Sequence, residues 1–315
     1  MKRLKEYLKK IFRTQDGTLR CGWLLALGLL VTAGLRDAAE SAAALVAGAF
    51  ALPLAAGGMG VTLLANTTQA AARWAGCAAM GAGALMSWHF FTKRPLSEMG
   101  LGVGRGCARR FGLGAAHGAA GALAVFGALA AVGLVKVEVL APALRATAIE
   151  RALFYGAVAL AHGLFYQGFC LCAAKRLHGV WGTWGAVALA ALLYALGQAP
   201  GSASLWWHAN NLLLGGAFAA MALYTGDIWM AVGAHWLWNV VWGPVLGFAA
   251  GGLRAPGLWQ AQYTAAGMWN GGAQGPEGGA AVTLLAMAWL AAWLTWGAAR
   301  SEAQAGADSA GTAAA

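Results

Sequence analysis

WWHANNLLLGGAFAAMALYTGDIWMAVGAHWLWNVVWGPVLGFA, residues 206–249, contains one carboxylate, Asp227, beside Gly226. That pair divides the stretch into two apolar runs, 206–224 and 228–249, each about 20 residues and so long enough to cross roughly 30 Å of hydrocarbon as a helix. Runs of the same kind recur at about 21–50, 68–92, 111–134, 152–173, 184–198 and 281–298. Together they predict an all-α fold, a polytopic membrane bundle of about eight transmembrane helices.

Composition agrees. Of 315 residues, 60% are hydrophobic and 10% charged, against about 25% charged in soluble domains, and the mean hydropathy is +0.62. The 47 glycines would weaken helices in water, but in lipid small residues let helix backbones approach closely. The net charge of +10 is explained by cationic loops on the cytoplasmic side of a membrane rather than by a nucleic-acid surface. Five cysteines, Cys21, Cys77, Cys107, Cys170 and Cys172, form no CxxC pair, so neither a disulfide framework nor a metal site is expected, and no cofactor is implied.

Charge also orients the chain. MKRLKEYLKKIFR at the start spaces Leu4, Tyr7, Leu8, Ile11 and Phe12 helically among six basic residues, which fits an amphipathic segment on an anionic membrane surface or a plain positive flank. The many later spans favour a retained first helix over a cleaved signal. The apolar region 21–57 is interrupted by Asp37 and Glu40 and reads as one bent span or two. With the amino terminus inside, one crossing there leaves Lys93, Arg94, Arg105, Arg109, Arg110, Lys175 and Arg176 in the cytoplasm, whereas two would put all seven outside. The organisation expected is a basic cytoplasmic segment (1–20), N-terminal transmembrane helices (21–92), a core (93–249), an external loop with a last helix (250–300) and a disordered tail (301–315). The bacterial cytoplasmic membrane is the expected location and the bilayer the first partner.

Ionisable groups inside a bilayer are costly and mark function by default. Apart from Asp37 and Glu40, the acids fall in tails, loops or span ends. Deep polar residues are concentrated between 162 and 239: His162, Gln167, Tyr194, Gln198, Asn210, Asn211, His235 and Asn239. His235 and Asn239, four apart, share a helix face and can present an imidazole and an amide to one point. Taken singly, each is accounted for by hydrogen bonding between membrane helices.

In order, these residues resemble the CPBP family of membrane-embedded CAAX-protease and bacteriocin-processing (Abi-like) proteins. The resemblance runs from about Lys93 to Gly243 and rests on RPLSEMGL (94–101), LFYQGFCL (164–171) and, most specifically, NNLLLGGAFAAMALYTGDIWMAVGAHWLWN (210–239). It implies an intramembrane endopeptidase with the motifs EExxxR, FxxxH and HxxxN on separate helices, in which glutamate and histidine activate a water. Such chemistry needs a base for the water's proton and donors for the oxyanion. Here the first motif falls on His162, Gly163 and Gln167, the second on Tyr194 and Gln198, and only the third survives, as His235 and Asn239.

The losses are paired. The second glutamate and the arginine would stand four apart and neutralise each other; removing one alone strands a charge at about 3–5 kcal/mol, whereas removing both is nearly free. The expectation is a catalytically degenerate homologue that binds a membrane or lipidated peptide, a lipid or a partner protein. His235, Asn239 and His162 are its catalytic-position residues, and Gln167, Tyr194, Gln198 and Asn211 line its cavity. An active peptidase with an altered His-based site and a small-molecule transporter are the alternatives. A zinc shared by His162 and His235 would be short of the three protein ligands that catalytic zinc usually has.

Overall fold

The computed structural model describes residues 11–14, 17–54, 60–139, 145–176, 182–198, 204–251, 257–265 and 267–313. Residues 1–10, most of the basic amphipathic segment, lie outside the described residues. The helices are α1 (Cys21–Leu54), α2 (Gly60–Thr92), α3 (Cys107–Ala131), α4 (Arg145–His162), α5 (Gly182–Gly197), α6 (Leu205–Thr225), α7 (Trp229–Val240) and α8 (Ala280–Ala313). Beyond His162, α4 runs on through a π-helical segment, Gly163–Cys170, and a last turn, Leu171–Ala174; α7 likewise ends in a π turn, Val241–Val245.

The protein is an all-α, membrane-type bundle. Among the described residues, Cys21–Leu52, Cys107–Ala131, Thr147–Ala174 and Ala280–Arg300 are long and apolar enough to cross a bilayer. The ambiguity at 21–57 resolves into a single α1 of 34 residues. At 1.5 Å per residue it is about 50 Å long, more than a bilayer core of about 30 Å, so it must tilt or project. At the other end, α8 continues to Ala313 through the stretch read as a disordered tail. The physical reason is local: 301–313 is rich in alanine, the best helix former, and contains no proline.

The chain forms two compact units, Met1–Gly102 with Leu153–Ala186, and Val103–Ala152 with Val187–Ala315. In the first, α1 and α2 pair and the π segment after α4 packs on them. Glycines set the spacing: a Cβ at Gly28 would strike the Phe169 ring, and one at Gly83 would sit 2.9 Å from the Thr32 Cα. At the basic end the Cys21 thiol donates to the Ala173 carbonyl at 3.0 Å, and the Trp88 indole donates to the Pro95 carbonyl at 3.2 Å. Met99, from RPLSEMGL, is buried against Gly168 of the π segment.

In the second unit the closest contact is between α3 and α7. A Cβ at Gly114 would fall on the Met230 carbonyl, one at Gly118 on the Ala234 carbonyl, and one at Gly233 on the Phe111 carbonyl. Gly114 and Gly118 are thus a small-xxx-small pair whose missing side chains let two backbones touch. Gly216 meets Leu290 of α8 at 3.4 Å by the same measure.

One element has no counterpart in the helical expectation. Val135–Val139 (β1) and Trp259–Tyr263 (β2) form a two-stranded antiparallel ladder with Val137 opposite Ala261. It ties together two of the loops assigned to the external side.

Candidate functional site

The HxxxN pair is built on α7. Its first turn is fixed by Asp227, whose Oδ1 accepts from the Trp229 N–H at 3.2 Å and whose Oδ2 accepts from Arg110 Nε at 2.6 Å. Two turns on, His235 is 6% exposed. Its Nε2 lies 3.3 Å from the Tyr194 hydroxyl, and its ring stacks on Phe218 with centroids 5.2 Å apart at 26°. Tyr194 is held against Gly215, where a Cβ would come within 2.8 Å of its ring. Three elements, α5, α6 and α7, therefore define one buried imidazole.

Asn239, 2% exposed, differs from its neighbours in that its Oδ1 is buried without a hydrogen-bond partner, as are the indole nitrogens of Trp207 on α6 and Trp242 in the π turn. Buried polar groups are satisfied in the great majority of cases, and leaving one unpaired costs about 1–3 kcal/mol. His235, Asn239 and Trp242 recur at helical spacing, so an unpaired amide oxygen and an unpaired indole share the histidine's side of α7 and its continuation. Such groups can hold water or a polar ligand.

The other expected residues divide between the units. His162, half-buried, sits in the first unit with its ring edge-on to Tyr166 at 5.5 Å, and Gln167 is buried there at 4% exposure. Gly163 and Gln167 both lie in the π segment, a helix form often found at functional sites. In the second unit, Gln198 is half-buried at the end of α5, and the Asn211 amide donates to the Trp207 carbonyl of its own helix at 2.9 Å. Within that unit the structure brings Tyr194 and His235 into direct contact. Among the described residues no three His, Cys, Asp or Glu side chains are grouped to hold a metal.

Sequence reading missed Glu277. Placed in an external loop, it is 4% exposed, in a 3-10 turn, Pro276–Gly278, where Oε1 accepts from the Trp238 indole at 2.9 Å and Oε2 from the Gly251 N–H at 3.0 Å. Burial pushes its carboxyl above the ordinary range, against the lowering effect of those two bonds. Beside it, Asn210 donates to the Glu277 and Gly279 carbonyls at 2.8 and 2.9 Å and accepts from Thr283 at 2.6 Å. The one available signal was an acid enclosed by proline and glycine, GPEGG, in a tryptophan-rich chain.

Residues 144–241 match the family model of the type II CAAX prenyl endopeptidases, Rce1-like. This segment is similar to that CAAX-protease family. The matched segment spans about a third of the chain and includes residues 162–239, on which the resemblance places its motifs, while RPLSEMGL (94–101) lies outside it. No curated protein and no solved structure matches the chain.

Proposed function

We propose that the protein is a catalytically degenerate CAAX-protease-like membrane protein that binds a membrane-embedded, lipidated peptide without cleaving it. The observation that carries this reading is the setting of His235. A hydrolytic base must lie within hydrogen-bond reach of the water whose proton it takes; here the imidazole is buried, with its Nε2 against the Tyr194 hydroxyl and its ring against the face of Phe218. The motif's glutamate, arginine and second histidine positions carry His162, Gly163, Gln167 and Gln198.

Two features favour a ligand. The unpaired Asn239 oxygen and the Trp207 and Trp242 indoles suit a peptide's amide groups, which must find partners inside a bilayer. An apolar groove of about 750 Å³, lined by Val125, Leu129, Trp269, Leu284 and Leu285, suits a hydrocarbon chain.

The reading has eight crossings and a cytoplasmic amino terminus in a bacterial cytoplasmic membrane. It is supported by the β1–β2 pairing of two loops assigned outside and by the bond between Ser204 and Gln274 at 2.5 Å, which joins a third.

The test uses the full chain in nanodiscs with a peptide bearing an S-farnesyl cysteine. Saturable binding without cleavage is expected, and His162→Glu, Gly163→Glu, Gln167→Arg and Gln198→His together are expected to introduce cleavage. Cleavage by the unaltered protein, abolished by His235→Ala, would overturn the reading.

A further inference from the structure

The middle of α1 carries an ion pair that the motifs do not use. Arg36 Nε lies 2.7 Å from Glu40 Oε1, with the two side chains 46% and 32% exposed. Arg36 is fifteen residues beyond Cys21, about 22 Å along the helix and within a hydrocarbon core of about 30 Å. Ionisable side chains are costly inside a bilayer, so packing alone gives no reason to keep a half-exposed pair at this depth. Intramembrane charges of this kind are functional by default.

Its surroundings are arranged around it. The Glu40 carboxylate lies where a Cβ would stand at Gly76 of α2, so that glycine makes room for the acid. The Tyr166 hydroxyl of the π segment and the Cys77 thiol are within electrostatic reach of the guanidinium. The pair uses one nitrogen of Arg36 and one oxygen of Glu40. Among the described residues, no other hydrogen bond engages either side chain, which leaves the two terminal nitrogens as donors and Oε2 as an acceptor.

We infer that Arg36 and Glu40 form a docking point in the first unit for the backbone of a membrane peptide, with the arginine donating to a peptide carbonyl and the glutamate accepting from a peptide N–H. The two charges cancel within the pair, with Asp37 the next residue on the exposed side of α1, so the pair meets a dipolar amide at both of its ends. It also offers a donor and an acceptor side by side, as an amide requires of a partner where no water is available. This assignment rests on the peptide-binding reading above and adds that recognition includes the main chain.

The test measures binding of the S-farnesyl-cysteine peptide to the full chain in nanodiscs. It is repeated with each of the three amides preceding the cysteine replaced in turn by an ester, which removes the N–H. One ester is expected to weaken binding about tenfold, the scale of a charge-assisted hydrogen bond. The double variant Arg36→Met, Glu40→Met, which exchanges a neutral pair for neutral side chains, is expected to bind the amide and ester peptides equally, at the weaker level. If that variant does not fold, Arg36→Lys, which keeps the charge and loses the fork, is expected to reduce binding of the amide peptide severalfold. Undiminished binding by the folded variant, or indifference of the unaltered protein to all three esters, would overturn the inference alone. Absence of any binding by the unaltered protein would overturn the peptide reading and this inference with it.

Discussion

Removing the Glu277 carboxylate takes the acceptor from two donors at once. The Trp238 indole at 2.9 Å and the Gly251 N–H at 3.0 Å both end on it, and each donor left buried and unpaired costs about 1–3 kcal/mol. Glu277→Ala is therefore expected to destabilise the protein by about 2–6 kcal/mol. Glu277→Gln keeps one carbonyl for Trp238 but turns an NH2 group toward the Gly251 N–H, so it should lose about half as much. The pH dependence has a definite sign. Burial raises the folded carboxyl above its ordinary value near 4.5, so the folded state holds this proton more tightly than the unfolded chain. That contribution is complete below the unfolded value and is lost as pH rises through the folded one. Thermal melts of the detergent-purified protein and both variants between pH 5 and 8 should show a gap between native and Glu277→Ala that narrows as pH rises. A gap under about 0.5 kcal/mol, the range of neutral surface changes, or one that widens with pH, would refute the reasoning.

Gly118→Leu should separate α3 from α7, because even a Cβ there falls on the Ala234 carbonyl; overpacking of about 1–3 kcal/mol should appear in the same melts, together with loss of the proposed peptide binding. Tyr194→Phe removes the hydroxyl next to His235 Nε2 and is expected to cost about 1 kcal/mol, read by denaturation in mild detergent. The two α1–α2 hairpin glycines Gly34 and Gly76 should behave oppositely on change to alanine. An added methyl meets nothing within 4 Å at Gly34 but the Glu40 side chain at Gly76, so only Gly76→Ala should lower the melting temperature.

The helices were legible because hydrophobic length is written locally: α3, α5 and α6 begin and end close to their predicted limits. The continuity of α1 was harder to read, since Asp37 and Glu40 look like a break until Arg36 is seen to neutralise Glu40 one turn away on the same helix. The HxxxN face was visible from spacing alone, whereas the contact of His235 with Tyr194 joins residues 41 apart in sequence. Glu277 was hidden for the same reason. Its burial depends on a tryptophan 39 residues away and on the fold of a glycine-rich loop, neither of which leaves a periodic trace. The π segment at Gly163–Cys170 was also invisible, because its residues are as apolar as those of the α-helix it interrupts.

The glycine contact between α3 and α7 bears on how this chain could change over evolutionary time. Gly233 and His235 are two residues apart, hence on nearly opposite sides of α7. One side rests backbone to backbone on α3, while the other carries the imidazole. A helix seated in that way has little freedom to roll, so the direction in which His235 points is inherited from three absent side chains, at positions 114, 118 and 233. Substitutions elsewhere in the chain can change what surrounds the imidazole while its aim stays the same, so the chemistry open to this pocket is set by neighbouring side chains and not by the seating of the helix.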